Sequence, residues 1–182
     1  MALDNIDELN VKNVSPFPTA LRFGLIGGLL IIVVGLAQYL LGVTSTISQA
    51  LGWSSMLIAI VFPVLAIRGH RDNDLGGYIS FGRGLGVGVL TILIISIITV
   101  IWTILLYNVI DPSMLDTVLQ VQVEAMEEQG MSDDDIENAM EITKQYMTAP
   151  IMAAAGAGFY FFLGLIAALI ASAVLKKERG IV

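Results

Sequence analysis

The sequence contains no cysteine and a single histidine, His70. The first absence removes disulfides, thiolate metal ligands and cysteine nucleophiles. The second removes any metal site built from several histidines of one chain. Charge is scarce as well. Charged residues make up 14% of the chain, where a soluble domain carries about 25%. Cations are the scarcer sign: nine Lys and Arg stand against 16 Asp and Glu, for a net charge of −7. Phosphate binding needs clustered Lys and Arg, so a nucleic-acid partner is excluded. No phosphate-binding loop is present. The glycines of "SFGRGLGVG" fail the dinucleotide spacing at Val87 and Val89, and no strand precedes them. The sequence therefore supplies no signature of a catalytic site, a cofactor or a metal centre.

Long apolar runs are what the chain does have. Hydrophobic residues are 56% of it, and they clump into 20–42, 50–67, 84–108 and 151–175. About 20 mostly apolar residues cross the hydrocarbon core of a bilayer. None of these runs holds an acid, and Arg22 lies one turn from the end of its run, where it can snorkel to the interface. The second run is short and contains Pro63. Membrane helices tolerate an internal proline when neighbours satisfy the freed carbonyl, so it reads as a kinked span rather than a re-entrant segment. No ionisable residue sits near a span centre, which counts against a proton-coupled carrier. Gln38, Ser54, Ser55, Thr91, Ser96, Thr99, Thr103 and Ser172 are mildly polar, and most can bond back to their own helix.

Lys and Arg near the span ends set orientation. Their counts alternate 2, 0, 3, 1 and 3 along the chain. They comprise Lys12 and Arg22, then Arg68, Arg71 and Arg83, then Lys144, then Lys176, Lys177 and Arg179. This pattern predicts four spans with both termini in the cytoplasm. Residues 1–19 lack the plan of a secretory signal, so the first run reads as an uncleaved anchor. Arg68, Arg71, Arg83, Lys176, Lys177 and Arg179 are then topology-setting charges at the lipid surface.

The segment between runs three and four would face away from the cytoplasm. It carries Asp111, Asp116, Glu124, Glu127, Glu128, Asp133, Asp134, Asp135, Glu137 and Glu141 against Lys144 alone. Asp111 and Pro112 form a helix start, Gly130 a stop, and Ser132 a cap crowded by three aspartates. Two amphipathic helices are predicted, about 113–129 and 133–147, joined by a tight turn. Met114, Leu115, Val118, Leu119, Ala125 and Met126 form the apolar arc of the first. Ile136, Ala139, Met140, Thr143, Tyr146 and Met147 form that of the second. These faces can pack on each other and the span tops, on a second copy, on a partner protein, or on lipid. Lipid fits least, because ten acids meet anionic headgroups. "DDDIENAMEITK" fails as a calcium loop: Asn138 holds the glycine position and Lys144 that of the bidentate glutamate.

Small residues recur four apart in the spans: Gly24 and Gly28, Gly82 and Gly86, Gly84 and Gly88, and Gly164, Ala168 and Ser172. Such pairs let helices approach closely. No Ser-His-Asp arrangement is expected, because His70 would be cytoplasmic and most carboxylates exported.

The phrases "YISFGRGLGVG", "YNVIDPSMLD", "EAMEEQGMSDDDIENAMEI" and "LIAALIASAVLKKE" occur in order along the chain. Through them the sequence resembles the bacterial membrane-protein family described as domain of unknown function 4199, over about residues 17–179. The resemblance implies four spans with an acidic helical insert and transfers no catalytic or binding residue.

The expectation is therefore an all-α membrane protein: four transmembrane helices, with an extracytoplasmic amphipathic helical hairpin between spans three and four. Its parts are a cytoplasmic segment 1–19, three spans in 20–108, the acidic hairpin 109–149, and span four with a basic tail in 150–182. The expected role is non-enzymatic, with Glu124, Glu127, Glu128, Asp133, Asp134, Asp135, Glu137 and Glu141 serving assembly or a partner. The partner would be a second copy or an extracytoplasmic protein, with membrane lipid around the spans. The alternative is a small transport or channel subunit with a cation-attracting acidic vestibule.

Overall fold

The computed structural model describes residues 14–42 and 45–177, so Lys12 and Arg179 lie outside the described residues. Among the described residues, six α-helices follow one another: α1 (Phe17–Leu41), α2 (Thr46–Gly69), α3 (Phe81–Leu105), α4 (Met114–Glu128), α5 (Asp133–Tyr146) and α6 (Ala149–Leu175). Short π-helical turns extend α2 through His70–Asp74 and α3 through Leu106–Ile110. Among the described residues, α1, α2, α3 and α6 are long and apolar enough to cross a membrane. They outrun the apolar runs because polar starts extend them. In α2, for example, the Ser45 hydroxyl accepts from the Ser48 amide at 3.0 Å.

The four long helices form a ring in the order α1, α2, α6, α3, with α2 and α3 also touching across the short diagonal. Sequence sets this arrangement through side-chain size. The interior is built from small residues, including Ala20, Ala59, Ala66, Ala153, Ala157, Ala168, Ala171, Ser55 and Ser172. Ile67, Val87, Ile92 and Ile95 fill the space between them, while many other large apolar residues point outward: Val33, Leu40, Leu57 and Val174 are all at least 60% exposed. A soluble core reverses this order. It suits a bundle solvated by lipid, where close backbone approach supplies the packing.

Two seams make the approach concrete. On α1, a Cβ at Gly24 would lie 2.8 Å from Ile94 Cβ, and one at Gly28 2.5 Å from Ile98 Cδ1. Gly35 continues the seam, with the Trp102 Nε1 at 2.6 Å from such a Cβ. Between α3 and α6, a Cβ at Gly84 would meet Ser172 Oγ at 3.1 Å, and one at Gly88 would meet Ala168 Cβ at 2.6 Å. Gly164 presses on Ile92 one step further along the same antiparallel seam.

Gly82 and Gly86 correct the packing expectation. A Cβ on either meets nothing within 4 Å. Residues two apart on a helix are about 200° around its axis, so only one of the two interleaved glycine pairs can face α6.

Pro63 is buried inside an uninterrupted α2. It has no amide hydrogen for the Ala59 carbonyl. α6 brings Gly164 against that oxygen, so closely that a Cβ there would lie 3.0 Å away. Proline and glycine on facing helices thus share one site.

Candidate functional site

Three polar regions are positioned by this bundle. The first is at the His70 end. Two backbone hydrogen bonds of 3.0 Å between Ile79 and Lys177 clip the start of α3 to the end of α6. The Lys177 ammonium stands 5.1 Å above the Tyr78 ring, a favourable cation–π geometry. Arg83 donates to the Val14 carbonyl. Arg71 reaches Asp72 with its Nε at 2.7 Å, and Arg68 reaches the same carboxylate at 3.5 Å. Lys176 is exposed beside them.

Under this charged rim, His70 is wholly buried. Its Nδ1 donates to Asp74 Oδ2 at 2.8 Å, and the Thr19 hydroxyl donates to the same oxygen at 2.6 Å. The carboxylates between α3 and α6 stay away from His70, as expected, and its partner comes from its own loop. Asp74 is on the same side as His70, one turn along the chain. The i, i+4 spacing was visible in the sequence, whereas the contribution of Thr19 from α1 was not. His70 Nε2 has no hydrogen-bond partner.

The second region is α4 with α5. Asp111 is extended (φ −148°), and its carboxylate accepts from the Ser113 amide at 3.0 Å and the Ser113 hydroxyl at 2.5 Å. These donors hold its carboxyl below the usual carboxylate range, with a lesser contribution from the Tyr39 hydroxyl. Regular helix begins at Met114, because Pro112 and Ser113 form the entering turn. Gly130 ends α4 with φ +78°, and the Met131 amide bonds to the Met126 carbonyl at 3.2 Å. Ser132 then caps α5 by accepting from the Asp135 amide at 3.3 Å.

Each of these helices makes its main tertiary contact with the other. They do not close tightly. A groove of about 940 Å³ runs between them, with Leu119, Val123 and Met140 on its floor. Asp116, Glu124, Glu127, Glu137 and Glu141 line its sides together with Lys144. Glu128, Asp133, Asp134 and Asp135 are exposed and outside that lining; the three aspartates occupy the first turn of α5, where the helix dipole favours them. Two residues assigned to apolar arcs, Ala125 and Tyr146, are exposed instead, because the helices meet over only part of their length. Among the described residues no group of three or more His, Asp or Glu converges to hold a metal ion.

The third region was not legible in the sequence. At the Asp111 end the four spans part around a chamber of about 430 Å³. Gln38 and Tyr39 of α1, Ser48, Gln49 and Ser55 of α2, Thr99, Trp102 and Thr103 of α3, and Tyr160 of α6 line it. The π-helical turn after α3 brings in Leu106 and Tyr107, and Met114 of α4 lies at its margin. Irregular helical turns of this kind are frequent at functional sites. Some polar groups are already used: Gln38 donates to the Ser48 carbonyl at 3.0 Å and Thr99 to the Ile95 carbonyl at 3.0 Å.

A family model described as "Protein of unknown function (DUF4199)" matches residues 22–177. The chain belongs to the DUF4199 family. The DUF4199 match runs from the first turns of α1 to the Ile79–Lys177 clip, so the chamber, the acidic groove and the His70 cluster all fall within its reach, save Thr19. No curated protein and no solved structure matches the chain.

Proposed function

We propose that this DUF4199 protein is a non-enzymatic, multi-pass protein of the bacterial inner membrane, with its termini cytoplasmic and the pair α4/α5 exported. Arg22, Arg68, Arg71, Arg83, Lys176 and Lys177 gather at the His70 end, while Lys144 is the lone cation among ten acids at the Asp111 end. That asymmetry supports the orientation, because loops rich in Lys and Arg are retained in the cytoplasm.

The exported pair would act as an assembly or recognition element. The groove between α4 and α5 carries this reading: it has an apolar floor, five acids on its sides, and the size to accept part of a helix. A partner segment with one apolar face and flanking Lys or Arg matches it in shape and charge. Purification in mild detergent tests the idea, with mass and co-purifying proteins compared for the wild type, a 111–148 deletion, and Glu124→Gln/Glu137→Gln/Glu141→Gln. A partner or second copy lost in both variants supports the reading. A lone monomer in all three samples overturns it.

A second reading, a transport or channel subunit, is favoured by the position of the chamber, whose margin reaches Met114 at the start of α4. Acids above such a vestibule would concentrate cations. Ion flux in proteoliposomes that falls on neutralising those acids would support it, and sealed proteoliposomes would dismiss it.

A further inference from the structure

The chamber is not confined to the bundle interior. A second space of about 400 Å³ lies between α2 and α6, and Gln49, Gly52, Gly156 and Tyr160 line both spaces. Two glycines therefore stand where the chamber meets the outer face. A Cβ at Gly156 would meet nothing within 4 Å, and one at Gly52 would meet only the Gln38 amide, at 3.4 Å. Beyond this gap the groove is bordered by Trp53, Met56 and Phe159. Trp53 is 68% exposed and Phe159 50%. Both belong to candidate membrane spans, so in a bilayer the groove mouth would open sideways toward lipid.

The chemistry changes along this path. The outer groove is aromatic and apolar. The chamber sets hydroxyls, amides and an indole among apolar residues such as Ile31, Leu106 and Met152, and no Asp, Glu, Lys, Arg or His is among its lining residues. A charged head would find no opposite charge among the lining residues, which a low-dielectric site penalises heavily, and Asp111, bonded to the Tyr39 hydroxyl at the margin, would repel an anionic one. An uncharged head with oxygen acceptors would meet Trp102, Thr103 and Tyr107. The chamber volume is within the range of small-molecule sites, about 300–1,000 Å³.

We propose that the chamber binds a bilayer-dissolved amphiphile with an uncharged, oxygen-bearing head, which enters sideways between α2 and α6 and leaves its apolar tail in the outer groove. This stands apart from the role of α4 and α5, because it uses none of their acids.

The chain has two tryptophans, and they report on the two parts of the path: Trp102 in the chamber and Trp53 in the groove. The full-length protein is placed in phosphatidylcholine nanodiscs as Trp53→Phe and, separately, as Trp102→Phe. Each is titrated with diacylglycerol or phosphatidylglycerol brominated on the acyl chain near the ester. Trp53 emission is expected to fall with both lipids, as it faces the bilayer. Trp102 emission is expected to fall saturably with the diacylglycerol and to be largely spared by the charged phosphatidylglycerol. Gly156→Leu, placed on the Trp53→Phe background, fills the passage and should abolish the Trp102 response. On the Trp102→Phe background it should leave the Trp53 response intact, which shows that the bundle has folded. Equal quenching of Trp102 by both lipids, no quenching by either, or quenching that survives Gly156→Leu overturns the proposal.

Discussion

A Cβ built on Gly88 would stand 2.6 Å from the Cβ of Ala168. No pair of side chains sits that close, so the seam between α3 and α6 exists in this form only with glycine at 88. Gly86, half a turn away, meets nothing within 4 Å. Gly88→Val should therefore lower stability by about 1–3 kcal/mol through overpacking. For a chain of this length each kcal/mol corresponds to a fall of about 2–4 °C in Tm. Gly86→Val should change Tm little. Thermal unfolding of both variants in the same detergent checks the pair, and equal losses would mean that the seam is not where the fold is most crowded.

His70 gives a second, different prediction. Thr19 and His70 donate to one oxygen of Asp74, so a residue of the π-helical turn ties α1 to the end of α2. Asp74→Asn removes the charge that both donors share, and leaves a buried imidazole poorly partnered. The expected loss is about 1–3 kcal/mol, with about 1 kcal/mol for Thr19→Val. Groups in one network couple. The double variant should therefore lose less than the two single losses added together. Strict additivity in thermal unfolding would show that Thr19 and Asp74 act independently.

Asp111 makes the start of α4 sensitive to pH. Hydrogen bonds from Ser113 hold its folded carboxyl below the usual carboxylate range. The unfolded segment therefore takes up a proton first as pH falls. The stabilisation is complete above the ordinary aspartate value of about 3.9, and is lost as pH drops through the lower, folded value. Amide exchange over residues 114–118, corrected for intrinsic rates, should show more protection in the wild type than in Asp111→Asn near neutrality. That difference should begin to narrow as pH falls below the ordinary aspartate value of about 3.9 and should close only below the lower, folded value. A difference that persists unchanged in acid would assign the effect to shape rather than to charge.

What the sequence made legible follows from where one physical force dominates. Four apolar runs without acids are dictated by the bilayer, and they became four long helices. Ser132, Gly130 and Asp111 mark helix ends because cap and turn chemistry is local. Glycine spacing revealed the seams only in part. Gly35 repeats Gly28 seven residues later on the same face and could have been found, whereas choosing Gly84 and Gly88 over Gly82 and Gly86 needs the rotation of α3 against α6. The Thr19–His70–Asp74 cluster was half visible, in the four-residue step from His70. The chamber was invisible. Its walls come from four helices, its polar residues are individually ordinary, and only packing brings Gln38, Ser55, Trp102 and Tyr160 together.

The absence of cysteine turns orientation into a direct measurement. Any single introduced cysteine is the sole thiol of the chain. Glu137 and Arg68 are both exposed, at opposite ends of the bundle. Glu137→Cys should react with a membrane-impermeant maleimide in intact spheroplasts, and Arg68→Cys only after lysis. The argument rests on charge: moving the cation-rich end across the membrane would carry Arg68, Arg71, Arg83, Lys176 and Lys177 with it, against the retention of basic loops in the cytoplasm. Glu137 is chosen because it also lines the acidic groove, so its accessibility places that groove as well. Labelling of Arg68→Cys but not Glu137→Cys in intact spheroplasts would invert the topology. It would also turn any partner of the acidic groove into a cytoplasmic one.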